Sequence, residues 1–124
     1  RIIDAFPGNL QDQIRTQLST ALLGVLAQTL LPKIGGGRVA AYETLIVTPA
    51  VANLIRENKT FRINSAIQTG SKFGMQLMDD SLFNHWIERN VTMEDCLGKA
   101  QDPDSLARRI ANARRMMDEG QVPQ

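Results

Sequence analysis

The chain has 124 residues, 43% hydrophobic and 22% charged, with a formal net charge of +1. That balance fits one globular domain with a modest core, excludes a disordered chain, and gives no global reason to bind nucleic acid or an anionic membrane. A single cysteine, Cys96, excludes an intrachain disulfide and a cysteine-based zinc site and suits a reducing cytoplasm.

No apolar run approaches the roughly 20 residues that span a bilayer, and the N-terminus lacks the zones of a signal peptide. The sequence begins at Arg1 without an initiator methionine. Ile2-Ile3-Asp4 reads as the end of an element, so a fragment of a longer protein is expected.

Asn9 is placed to cap a helix in which Leu10, Ile14, Leu18 and Leu22 recur at helical spacing, stopping near Gly24. Residues 25–31, short, apolar and bounded by Pro32, and residues 38–47, rich in β-branched and aromatic side chains, predict two strands. Gly35-Gly36-Gly37 is their hairpin connection. Thr48 as N-cap and Pro49 at the first helical position open a compact helix over 49–57. Val51, Leu54 and Ile55 share one face, and Asn53, Arg56 and Glu57 point elsewhere, ahead of the basic segment Asn58-Lys59-Thr60.

Between Ile63 and Gly74 two glycines predict a hinge or tight connection around a short polar helix or turn. Residues 75–89 predict the helix that anchors the core, with Met75, Met78, Leu82, Phe83, Trp86 and Ile87 on its apolar stripe. Thr92 and Asp95 resemble a capping box opening a brief helix with Met93, Cys96, Leu97 and Ala100 inward. Asp102-Pro103 starts a last helix, with Leu106, Ile110, Ala113 and Met117 inward and Gly120 as terminator; residues 121–124 are expected to fray.

Few constellations carry chemistry. Gly70-Ser71-Lys72 has the wrong order for a phosphate-cradling loop, and the place where that loop needs another glycine holds Ser65. His85 has no second histidine or cysteine at ligand spacing, which favours a solvent-facing or core-edge role over a metal or catalytic one. Asp79-Asp80 reads as a solvated face and Cys96 as an inert buried thiol. No catalytic, cofactor-binding or metal-ligating residue is assigned.

Arg108, Arg109, Arg114 and Arg115 form a basic stripe with no acid between residues 106 and 116. It reads as a solvated face or as a partner surface for an acidic protein or a nucleic-acid backbone. The segment brings no stacking aromatic, which weakens single-strand binding, and Met116 and Met117 offer adaptable contacts. Arg56 and Glu57 likewise read either as an ordinary exposed ion pair or as a working surface.

Residues 50–57, Ala-Val-Ala-Asn-Leu-Ile-Arg-Glu, resemble the Ala-Ile-Arg-Asn-Leu-Ile-Arg-Glu motif of the PilT-like twitching-motility ATPases, the retraction motors of type IV pili. Ala50, Asn53, Leu54, Ile55, Arg56 and Glu57 match, Val51 is a mild change, and Ala52 replaces an arginine. Five further segments follow in the family's order: Arg1-Ile2-Ile3-Asp4 with Phe6-Pro7, Gln28-Thr29-Leu30-Leu31-Pro32, Gly37-Arg38-Val39-Ala40-Ala41, Gln68-Thr69-Gly70-Ser71-Lys72 and Gly74-Met75-Gln76.

The resemblance implies an α/β fragment, mostly α: a β-hairpin completing a RecA-like ATPase core over 1–48, then a C-terminal helical bundle over 49–120. It places the P-loop, Walker and histidine boxes upstream, so this chain alone should be inactive, with ATP and magnesium held elsewhere in the parent motor. That parent would be a cytoplasmic hexamer, peripheral to the inner membrane and contacting pilus platform proteins, with no nucleic acid. Residues 50–57 would be tied to retraction.

Two other readings stand beside it. A sibling motor for pilus assembly or type II secretion typically carries a four-cysteine metal loop here, which one cysteine opposes. A helical adaptor or nucleic-acid-binding module would use the arginine stripe.

Overall fold

The computed structural model describes residues 2–120; Arg1 and the tail expected to fray at 121–124 lie outside the described residues. It is mostly helical: α1 (Gly8–Ala21), a hairpin of β1 (Gly24–Pro32) and β2 (Arg38–Ile46), α2 (Pro49–Arg56), α3 (Ile63–Thr69), α4 (Met78–Ile87), α5 (Met93–Lys99) and α6 (Pro103–Asp118).

The chain forms two compact units interleaved along the sequence. One holds the residues up to Leu26 together with Thr44–Leu77, the other Ala27–Glu43 together with the residues from Met78 onward. The sequence division at residue 48 differs from this, because the far part of the hairpin, including Leu31 and Ala41, joins the core of the later helices.

In the first unit, α2 packs chiefly against α1 and also touches α3, with Val51, Ile55, Ile67 and Met75 buried. Asn9 does not cap α1. Pro7, extended at ψ 149°, takes the cap position, so Asn9 falls inside the first turn, while Gln11 Nε2 donates to the Phe6 carbonyl at 3.1 Å. The segment expected to hinge is a 3-10 turn, α3 and a second 3-10 turn, closed by Gly74 at φ 90°.

In the second unit, Gly35, Gly36 and Gly37 turn the hairpin at φ 93°, 118° and 78°, conformations that only glycine adopts without strain. Leu31, Leu82, Phe83, Val91, Cys96, Leu106 and Ile110 close the core. The anchor helix starts at Met78 and not at residue 75, and Met78 N donates to Glu43 Oε1 at 3.2 Å. Its predicted first residues are extended, since Gln76 pairs with Thr44 as an antiparallel bridge within the first unit. Both later caps form as expected: Thr92 accepts from Asp95 N at 3.2 Å and Asp102 from Ser105 N at 3.2 Å. Met117, expected inward, is 41% exposed because the core ends at Ala113.

Polar side chains bind α4 to its neighbours. His85 Nε2 donates to the Ala40 carbonyl at 2.8 Å while Nδ1 accepts from Asn90 at 3.3 Å, so the one histidine is a core-edge tether. Asp79 is more than a solvated face: its carboxylate accepts from the backbone N–H of Gln101 at 2.8 Å and of Asp102 at 3.0 Å. Asp80 pairs with Arg109. Cys96 is fully buried with Sγ 3.4 Å from the Leu82 carbonyl, and burial, then the Asp95 carboxylate, push its thiol up to about 11.

Candidate partner-facing helix

Helix α2 is short but closed at both ends. Thr48 Oγ1 accepts from Val51 N at 3.3 Å and Pro49 supplies a fixed φ where no N–H is required. At the other end Asn58 sits at φ 57°, Asn58 N donates to the Ile55 carbonyl at 3.3 Å and Lys59 N to the Leu54 carbonyl at 2.8 Å. This is a Schellman closure with asparagine in the place glycine usually takes, one of the few other residues that tolerate it. The segment Asn58-Lys59-Thr60 therefore ends the helix as well as carrying charge.

The inner face is Val51, 1% exposed, and Ile55, 6% exposed, with Leu54 half-buried beside them. The motif residues divide accordingly: Leu54 and Ile55 turn inward, while Ala50, Asn53, Arg56 and Glu57 are exposed. Arg56 donates to Asn53 Oδ1 at 2.8 Å, and Glu57 lies 3.4 Å from Lys59 Nζ. The expected ion pair between Arg56 and Glu57 is absent, since adjacent residues on a helix do not face each other. Arg56 takes the asparagine one turn back instead.

Beside the start of α2 lies an open cavity of about 390 Å³ whose walls include Ala50, Val51, Ala66, Phe73 and Met75. Gly70 borders it and is packed tightly: a Cβ there would stand 2.6 Å from Met75 Sδ and 3.0 Å from the Ala66 carbonyl oxygen.

The arginine stripe does not survive as a single surface. The Arg109 guanidinium lies 4.0 Å from the Phe83 ring centroid besides pairing with Asp80, and Arg114 lies 5.7 Å from the Trp86 centroid. The missing aromatics are thus supplied by α4 and not by α6, a pairing across elements that no spacing within residues 106–116 signals. Arg108, Arg114 and Arg115 remain exposed, and Arg109 is half-buried.

Neither glycine cluster fits a nucleotide's phosphates in the P-loop manner. Gly35–Gly37 run into β2 rather than a helix, and Gly70 is filled from behind by Met75. Among the described residues no group of three histidine, cysteine or acidic side chains converges as a metal site, and no helix is long and apolar enough to cross a membrane.

No family model matches the chain. It is 45% identical over 106 residues to the type IV pilus retractation ATPase PilT of Pseudomonas aeruginosa, covering 86% of this chain and 31% of that protein. It is 44% identical over 108 residues to the twitching motility protein of Neisseria gonorrhoeae, covering 86% and 29%. The crystal structure of the pilus retraction motor PilT with bound ADP superposes at a TM-score of 0.77 and 45% identity, covering 87% of this chain and 30% of that one. The chain therefore spans about a third of the length of the relatives it matches, and the structural match falls on their C-terminal part.

Proposed function

From homology of this chain to the C-terminal portion of the PilT-like twitching-motility ATPases, we propose that it is the force-transmitting region of a type IV pilus retraction motor. Hydrolysis performed by upstream segments displaces this region, and α2 passes the displacement to a neighbouring subunit or a pilus platform protein. ATP and magnesium belong to those upstream segments in this reading, so no hydrolytic step is assigned to residues of this chain. The parent acts as a cytoplasmic homo-oligomer at the inner membrane.

The observation that carries the reading is the build of α2. A helix capped at both ends and seated on Val51 and Ile55 presents Asn53, Arg56 and Glu57 outward, with their polar groups tied only to their own segment. Rigid elements with discrete packings are what mechanical coupling between sites requires. The hairpin supports the larger context: Leu23, Val25, Leu26 and Leu30 are exposed on or beside β1, apolar surface of the kind that further parts of a larger protein cover. The adaptor reading draws less support, since Arg109, paired with Asp80 and stacked on Phe83, is drawn out of the stripe.

Alanine at both Arg56 and Glu57 in the intact motor is expected to abolish or severely slow retraction, scored by twitching on a surface, while ATP binding stays near normal. Retraction at the normal rate would remove α2 from the pathway. Loss of ATP binding together with retraction would make α2 a structural support.

A further inference from the structure

The second unit holds an open cleft of about 600 Å³ that the retraction reading does not use. Its size falls within the range of small-molecule sites. Ile34, Trp86 and Met93 give it apolar walls, and Arg89, Glu94 and Arg114 bring charge to it. Arg114 lies over the Trp86 indole, and neither guanidinium has an ion pair or a side-chain hydrogen bond among the described residues.

Arg89 is the unexpected member. It stands just past the end of α4 at φ 62°, its N–H donating to the Trp86 carbonyl at 3.0 Å, in the left-handed conformation where helices usually end on glycine. A long cationic side chain stands where glycine would be unstrained, and that side chain lines the cleft.

Two guanidinium forks without counter-ions suit an anion with several oxygens, and a phosphate offers more of them, and more charge, than a carboxylate. The indole and its apolar neighbours offer a flat surface for a ring. Glu94 lies in the first turn of α5, where an acid suits the helix N-terminus, and it also gives the cleft an acceptor for a ligand that presents donors. Guanine does so, with N1–H beside a 2-amino group, a pair that one carboxylate can accept together.

We propose that this cleft binds a guanine nucleoside monophosphate, with the phosphate on Arg89 and Arg114, the base against Trp86, and Glu94 accepting from the base edge. The site is a binding site only and does not depend on the retraction reading.

Trp86 is the only tryptophan in the chain, so its emission reports directly on the cleft. Titration of the 124-residue chain with GMP is expected to give a saturable change that is the same with and without magnesium. AMP, whose N1 is an acceptor, and inorganic phosphate should each bind about tenfold more weakly, the scale of one lost charge-assisted hydrogen bond. Arg89→Gly should weaken GMP by about tenfold while leaving the melting temperature equal or higher, an outcome that a merely structural arginine would not give. Glu94→Gln should erase the preference of GMP over AMP. No saturable response to GMP, equal affinity for GMP and free phosphate, or undiminished affinity in Arg89→Gly would each overturn the proposal.

Discussion

On α2 the Arg56 guanidinium reaches no further than Asn53 one turn back, and Glu57 reaches Lys59, so the polar groups of that face are satisfied within their own segment. On α6 Arg109 crosses to Asp80 and Phe83, and Arg114 crosses to Trp86. Two helices with similar charge in the sequence thus spend it differently. An arginine paired and stacked across elements, as Arg109 is, holds the fold, and removing it should be felt in stability. Charge tied locally adds little to the fold and leaves a face that a partner can engage without dismantling anything.

The apolar side of the same two helices gives the largest expected effect. Ile110 under α6 is fully buried within the main core, and Ile110→Ala should cost about 2–5 kcal/mol in urea denaturation. Ile55 under α2 is 6% exposed in a smaller cluster, so Ile55→Ala should fall at or below the lower end of that range, about 2 kcal/mol. Equal losses would mean that α2 is embedded as deeply as α6, and the contrast between a structural and a presenting helix would fail.

Cys96 sharpens the description of that main core. Its folded thiol is raised to about 11 from an ordinary value of 9.0, so the unfolded chain loses its proton first as pH rises. Stability from this group is complete below pH 9 and drains away between pH 9 and about 11, by on the order of 2 kcal/mol once both states are ionised. The stability of Cys96→Ala relative to the parent chain should therefore improve across that window. A constant difference would show that the thiol is not desolvated. The same burial predicts no reaction with a thiol reagent at neutral pH until denaturant is added.

How much of this was legible depended on the range of the interactions. The hairpin, α2, α5 and α6 follow from local rules: glycines at the turn, Thr48 and Pro49, Thr92 with Asp95, Asp102 with Pro103. The helix that carries residues 50–57 was readable for the same reason, whereas the segment was singled out by its resemblance to a family motif. Most of the misses come from distance in sequence. Gln76 is extended because Thr44 pairs with it, Asp79 is occupied by the backbone of residues 101 and 102, and the stripe on α6 is broken up by two aromatics on α4. Asn9 failed as a cap because Pro7 had already set the backbone. Arg89 gave no signal at all, because a left-handed arginine is visible only in the fold.

Arginine substitutions test the central contrast directly. Arg109→Ala removes an ion pair whose partners are 40% and 42% exposed, together with the stacking on Phe83, and should cost about 1 kcal/mol, part of it lost again at high salt. Arg115→Ala, on the exposed side of the same helix, should stay within about 0.5 kcal/mol of the parent. If both cost the same, the difference between crossing and exposed arginines has no energetic content.

The smallest expected effect is the most pointed. Asn53→Ala deletes the oxygen that holds Arg56, yet alanine is the better helix former by about 0.5 kcal/mol, roughly what an exposed hydrogen bond contributes, so the net change should lie near zero. Thr48→Ala on the same helix removes a cap and should cost about 1 kcal/mol. The pair separates two meanings of importance on one short helix: the cap matters to whether α2 forms, and Asn53 to where the Arg56 guanidinium points once it has formed. A substantial loss of stability in Asn53→Ala would show that the outer face of α2 is part of the fold after all, and its availability to a partner would then need another explanation.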